Sequence, residues 1–270
     1  MMQEQIMREF NVHLVGTGKQ TLVMGHGFGS NQTAWRHQVE ALSSQYRIVL
    51  FDYMGCGGAD ISHYNPLRYN RLEYYSEDLI RIYTAFDFEN TIFIGHSASA
   101  MIGMLAALAQ PKLISKLIFV SASPRYLNDN DYVGGFEQPD LNTLYEMMAA
   151  NYLGWSSGFA PVATANAERP ELAKEFVRSL SSMRPDIAQS VARVIFQWDL
   201  RSQLSRVQQP VLILQPQRDI VVPQAVGDYL AANIPYSKLV LLNAEGHLPH
   251  LSAPDEVSDA IRQFISDSTT

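Results

Sequence analysis

One cysteine, Cys56, stands in 270 residues, which excludes an internal disulfide. A cationic surplus is lacking too. Twenty Lys and Arg against 27 Asp and Glu leave a formal net charge of −7, so there is no footprint for a nucleic acid and no polybasic attraction to an anionic membrane surface. No apolar run approaches the roughly 18 residues of a membrane span. The opening MMQEQIMREF has neither the basic nor the apolar region of a secretory signal, so a cytoplasmic location is the expectation and the Asn31-Gln32-Thr33 sequon is coincidental. Seven scattered histidines include no pair at ligand spacing, and neither a metal site nor an organic cofactor is expected. Internal repeats and low-complexity segments are absent as well. What is present is 47% hydrophobic and 17% charged, enough to bury one large core.

The apolar pattern alternates between short strand-like runs and longer helical stretches. Strands are expected over residues 8–15, 21–24, 47–51, 91–94, 116–120, 211–215 and 238–242, and helices over 34–43, 72–86, 99–109, 225–233 and 254–266. The first two strands flank the turn Gly16-Thr17-Gly18-Lys19 and suggest an antiparallel edge. The rest implies a mostly parallel α/β sheet with helices on both faces. About 90 residues between the strands ending near Val120 and beginning near Val211 break this rhythm, far more than a crossover needs. They show helical spacing over 141–152, 171–181 and 185–196, punctuated by Gly134-Gly135, Pro161, Pro170 and Pro185. The chain therefore divides into an α/β core of residues 1–124 and 201–270 with an inserted helical lid, 125–200. Met147, Met148, Tyr152 and Trp155 then form either the lid's own core or part of a ligand pocket.

Residues 91–103, TIFIGHSASAMIG, organise the chain. A strand that becomes a helix within five residues strains its central residue, which small neighbours tolerate, and lifts the Ser97 hydroxyl clear of the sheet. The same turn puts the Ala98 N–H at a helix N-terminus, where it can receive an oxyanion. This is the logic of the nucleophile elbow G-x-S-x-G, except that Ser99 replaces the second glycine. A buried serine at a strand–helix junction is the alternative.

Two more strand ends carry chemistry. Asp219 follows the strand at 211–215 and His247 the strand at 238–242, giving the order Ser, Asp, His found in α/β-hydrolase triads rather than in chymotrypsin-like or subtilisin-like ones. Asp199, in Trp198-Asp199-Leu200, is the rival acid. Gly25-His26-Gly27-Phe28-Gly29 follows the second strand, and its glycines let the backbone present the Phe28 N–H as the second oxyanion donor. His26 and His96 read as structural rather than as extra bases. A serine nucleophile argues against dehalogenase or epoxide-hydrolase chemistry, where an aspartate attacks.

HGFGSNQTAW from His26, GHSASAMIG from Gly95, SASPRYLNDNDYVGGFEQPDL from Ser121, MRPDIAQSV from Met183 and EGHLPHLSAPD from Glu245 resemble one family. It is the small α/β-hydrolase subfamily of the karrikin and strigolactone receptors, which also holds a bacterial stress-regulator hydrolase. The likeness spans about residues 10–264 and accounts for Ser99, since serine is common there. It implies an α/β-hydrolase fold with an eight-stranded, mostly parallel sheet, Ser97 as nucleophile, His247 as base and Asp219 as its orienting acid. It also implies a pocket lined by Phe28, Tyr126, Phe136, Leu144, Phe159, Phe176, Phe196 and Ile220. The phenylalanine-rich lining is similar to the karrikin-receptor branch, whereas FDYMGCG from Phe51 and ERPELAKEF from Glu168 are similar to the bacterial regulator. Two functions stay open: a metabolic esterase or lactonase for small apolar esters or lactones, and a ligand sensor that keeps the triad and signals through a protein partner.

Overall fold

The computed structural model describes residues 2–267. Residue 1 and residues 268–270 of the expected core therefore lie outside the described residues. The chain runs α1 (Met2–Glu9), β1 (His13–Val15), β2 (Thr21–Gly25), α2 (Arg36–Leu42), β3 (Arg47–Leu50), α3 (Leu72–Ala85), β4 (Thr91–His96), α4 (Ala98–Ala109) and β5 (Ile114–Val120). Four helices come next, α5 (Gln138–Ala150), α6 (Tyr152–Thr164), α7 (Pro170–Ser182) and α8 (Pro185–Gln197). The sheet resumes with β6 (Val211–Arg218), α9 (Gln224–Asn233), β7 (Ser237–Glu245), α10 (Pro249–Ser252) and α11 (Pro254–Ser266).

The described residues form one seven-stranded sheet in the order β1-β3-β2-β4-β5-β6-β7, antiparallel only between β1 and β3. The expected eighth strand is not among them. The alternation over residues 8–15 overstates β1 as well. Met2–Glu9 is rich in helix formers and turns Ile6 inward as α1, Asn11 reverses the chain at φ 49°, and only His13–Val15 is left to pair. Buried Glu9 is held by a bidentate pair of 2.7 Å bonds from Arg81, so its position in the pattern reports an ion pair rather than a solvent-facing strand residue.

Period-two alternation in the central strands feeds two cores. Leu22, Met24, Ile92, Ile94, Ile118, Leu212 and Leu214 pack with α2 and α11. Val23, Val49, Phe93, Leu117 and Ile213 face the other way, into a larger cluster that also takes in α3, α4, α9 and the four helices between β5 and β6. Pro170 and Pro185 open α7 and α8 at the position where a missing N–H costs nothing. Pro161, in contrast, is no boundary: it lies within α6, a helix that its two glycines and this proline hide from the sequence pattern. Among the described residues no helix is long and apolar enough to cross a membrane.

The loop after β3 is tied to the rest by one buried carboxylate. Asp52 accepts from Gln32 N–H (2.8 Å), Gly58 N–H (2.8 Å), Asn11 Nδ2 (2.7 Å) and Gln32 Nε2 (3.1 Å). It thereby fixes Tyr53, whose N–H donates to His26 Nε2 at 3.1 Å under the loop that follows β2. Asp52→Asn turns an NH2 against these donors, and should lower unfolding free energy by about 2–4 kcal/mol. Urea unfolding of the variant checks this, and an unchanged midpoint would remove the carboxylate from its place as an organiser.

Candidate active site

All the parallel strands point their C-terminal ends to one edge, and the chemistry collects there. Ser97 sits between β4 and α4 at φ 56°, ψ −122°, a region that non-glycine residues avoid. Gly95 makes the turn sterically feasible, because a Cβ there would stand 2.5 Å from the Ala100 nitrogen. Ser99, in the place of the elbow's second glycine, is fully buried with its Oγ 2.5 Å from the Tyr53 hydroxyl, so a polar partner stands where the motif usually keeps empty space.

The structure brings Ser97, His247 and Asp219 together. Ser97 Oγ lies 2.8 Å from His247 Nε2, and His247 Nδ1 lies 2.7 Å from Asp219 Oδ2. The other Asp219 oxygen accepts the Val221 and Val222 N–H groups at 2.8 and 3.1 Å, which fixes the carboxylate plane. Since a carboxylate only accepts, Nδ1 carries the imidazole proton and Nε2 is left to accept from Ser97. The three residues are buried, with 4%, 6% and 9% of their surface exposed for Ser97, His247 and Asp219. Asp199, the rival acid, instead pairs with Arg125 at 2.8 Å and Arg201 at 2.7 Å, a separate ion-pair group.

Ala98 opens α4, where a helix leaves its first N–H groups without internal acceptors, and Phe28 lies in the loop after β2. A small apolar cavity of about 30 Å³ abuts both, lined by Tyr53, Cys56, Tyr75, Val191 and Ile195 among others. Burial pushes the Cys56 thiol up to about 12, so this wall is neutral.

The expected pocket residues separate. Tyr126, Phe136 and Phe196 form one aromatic group, with ring centroids 5.0 Å apart for Tyr126 and Phe196 and 5.5 Å for Phe136 and Phe196. Phe159 and Phe176 form a second, at 6.3 Å, with Phe159 stacked on Trp155. Among the described residues no ring contact joins the two groups. Leu144 and Phe28 are half-buried against the main core. Ile220 is 60% exposed and faces solvent beside Asp219, which corrects its place in a buried lining. Sequence alone gives Tyr126 only a lining role, yet its hydroxyl lies 3.2 Å from Ser97 Oγ. Burial raises its pKa, so it stays protonated and donates to the serine oxygen while the serine proton faces His247. No periodicity or spacing signals such a contact across 29 residues.

The chain belongs to the alpha/beta hydrolase fold family, whose model matches residues 20–254. Within that family it sits with the karrikin- and strigolactone-receptor-like proteins. It is 47% identical over 256 residues to karrikin insensitive 2 receptor CA of Petunia hybrida, covering 94% of this chain and 95% of that protein. It is 40% identical over 266 residues to strigolactone esterase D14 of Arabidopsis thaliana, covering 98% and 99%. A solved hydrolase from Oleispira antarctica superposes with a TM-score of 0.96 at 35% identity, covering 98% of each chain.

Three other imidazoles lie beneath the site. His26 donates from Nδ1 to Gly27 O at 2.9 Å, His96 donates from Nε2 to His247 O at 2.7 Å, and His250 packs 4.6 Å from the Trp35 ring. Burial lowers the pKa of all three, that of His250 to about 3. A depressed folded-state pKa means that the unfolded chain binds protons the native state refuses, so the contribution is present above the unfolded value of 6.5 and is lost as pH falls. Between pH 7.5 and 5.5 each imidazole that stays neutral should cost about 1.4 kcal/mol of stability. His250→Leu should shrink the pH dependence of the unfolding free energy, read from urea titrations, by about that amount; an equal dependence in both proteins would mean that His250 takes up its proton while folded.

Proposed function

We propose that this protein is a serine carboxylic-ester hydrolase that opens small apolar esters or lactones, butenolide-like rings among them, through an acyl-enzyme on Ser97. The observation that carries the reading is the relay from Ser97 through His247 to Asp219, with its 2.8 and 2.7 Å contacts. Ser97 Oγ attacks the carbonyl carbon as its proton passes to His247 Nε2, and Asp219 stabilises the imidazolium through Nδ1–H. The Phe28 and Ala98 amides receive the developing oxyanion. Collapse breaks the bond to the leaving oxygen, which takes the proton from Nε2. Water then gives a proton to His247 as its oxygen attacks the acyl carbon, and Ser97 leaves reprotonated. Residues 125–200 act in this reading as a lid whose aromatic groups shape a dry, narrow site for small rings and short acyl chains.

A second reading is a small-molecule sensor that hydrolyses slowly or once and signals through a protein partner. The 47% identity to a protein named as a receptor favours it. Kinetics on a butenolide and a short aryl ester separate the two: rapid multiple turnover supports metabolism, and one slow turnover with a stable adduct supports sensing.

Two variants test the chemistry. Ser97→Ala deletes a hydroxyl and no core volume, so ester hydrolysis should fall by about four to six orders of magnitude with the circular-dichroism spectrum retained. A folded variant that still cleaves a short aryl ester near the wild-type rate would falsify the assignment. Phe196→Ala removes a buried ring beside Tyr126, at a cost of about 3–5 kcal/mol. It should raise kcat/KM for an aryl ester of about eight carbons relative to one of about two. An unchanged ratio would mean that the ring packs only against its neighbours and does not bound the substrate.

A further inference from the structure

We propose that His96 is a positioning residue, holding the backbone of His247 and the oxyanion loop in register with Ser97. The inference rests on the catalytic reading of Ser97 and His247. His96 ends β4 and directly precedes Ser97, so its ring moves with the elbow. Its Nε2–H donates to the His247 carbonyl at 2.7 Å, a contact that spans 151 residues. On the other side of the same residue, the His247 N–H donates to Ala163 O of α6 at 2.7 Å. The backbone that carries the candidate base is thus clamped at both ends, once from α6 and once from the elbow.

The imidazole also supports the loop after β2. A Cβ on Gly27 would stand 2.4 Å from His96 Nδ1, 2.9 Å from Cε1 and 3.3 Å from Ser97 Cβ, so that loop is seated directly on the ring and the elbow. The ring centroid is 4.9 Å from that of His247 and 4.4 Å from that of His250. Burial keeps His96 neutral, so it has one ring proton, and that proton is committed to the His247 carbonyl. His96 is therefore no second base. A leucine of similar volume would fill the space but leave the buried His247 carbonyl without this donor. What the donor contributes is alignment, and a displacement of about 1 Å at a reacting group can cost about 100-fold in rate.

Three substitutions separate positioning from filling. A glutamine amide nitrogen reaches the place of Nε2, an asparagine amide only that of Nδ1, and leucine fills the volume without a donor. In the full-length protein, His96→Gln should keep kcat for an aryl ester and the rate of Ser97 labelling by an aryl fluorophosphonate within about fivefold of wild type. His96→Asn and His96→Leu should lose about 30- to 100-fold in kcat and in labelling rate, with KM within about twofold. A folded Asn or Leu variant at the wild-type rate overturns the proposal, as does a Gln variant as impaired as Asn. If the Leu variant does not fold, the two neutral amides still decide. Wild-type protein that neither labels at Ser97 nor cleaves the ester overturns the hydrolase reading and this proposal with it, whereas equal labelling of wild type and variants overturns only this one.

Discussion

The backbone turn at Ser97 is the constraint on which the site depends. A side chain held at φ 56°, ψ −122° costs about 1–3 kcal/mol and persists only where its surroundings over-determine it. Here they do so from three sides. The Ser97 N–H donates to Val120 O at 2.8 Å, which ties the turn to the end of β5, and Ala100 N–H returns to Ser97 O at 3.1 Å as α4 begins. The third constraint is the Ser99 hydroxyl against Tyr53. A change that released any of these would let Ser97 relax toward ordinary helix or strand angles, and its hydroxyl would no longer meet His247.

That third constraint links the elbow to the far side of the sheet's edge. Tyr53 holds Ser99 with its hydroxyl and His26 with its amide, and it is itself placed by its neighbour Asp52. The loops after β2, β3 and β4 are therefore one polar assembly in an apolar setting, and none of them can be repositioned alone. In such surroundings each hydrogen bond is stronger than in water, and each missing partner costs more. The arrangement favours a single geometry and leaves little tolerance for substitution.

Much of this architecture is legible in the sequence because it rests on local pattern. The short apolar, β-branched run over residues 91–94 reports a central strand, the small residues after it report a tight turn, and Asp219 and His247 each follow an apolar run that ends at the same edge. Where tertiary contact overrides local pattern, the pattern misleads. Glu9 and Phe10 alternate like a strand, but Glu9 is buried by Arg81 and the segment before it is helical. Helix α6 carries Gly154, Gly158 and Pro161 and is retained by packing, with Trp155 stacked on Phe159. The contacts of Tyr126 with Ser97, of His96 with His247 and of Tyr53 with Ser99 span 29, 151 and 46 residues, and no periodicity encodes them. Ile220 follows Asp219 in the chain, yet faces solvent because the turn that aims Asp219 inward aims its successor out.

In the proposed reaction, the burial that surrounds Ser97 also bears on the hydrolytic step after its attack. Acylation needs only groups already in contact: a serine proton facing His247, and an imidazole oriented by Asp219 and clamped through its own backbone. Deacylation needs one more reactant, a water, at a site where the three residues expose less than a tenth of their surface. Aromatic rings beside Ser97 exclude solvent, which strengthens the electrostatics of the first step. In a dry site the same exclusion opposes delivery of the water that the second step needs. Enzyme and sensor can therefore share every distance in the triad and still differ in the rate at which water reaches the acyl carbon. The helices between β5 and β6 reach the triad through Phe196 of α8, whose ring lies edge-on to Tyr126, the residue whose hydroxyl meets Ser97.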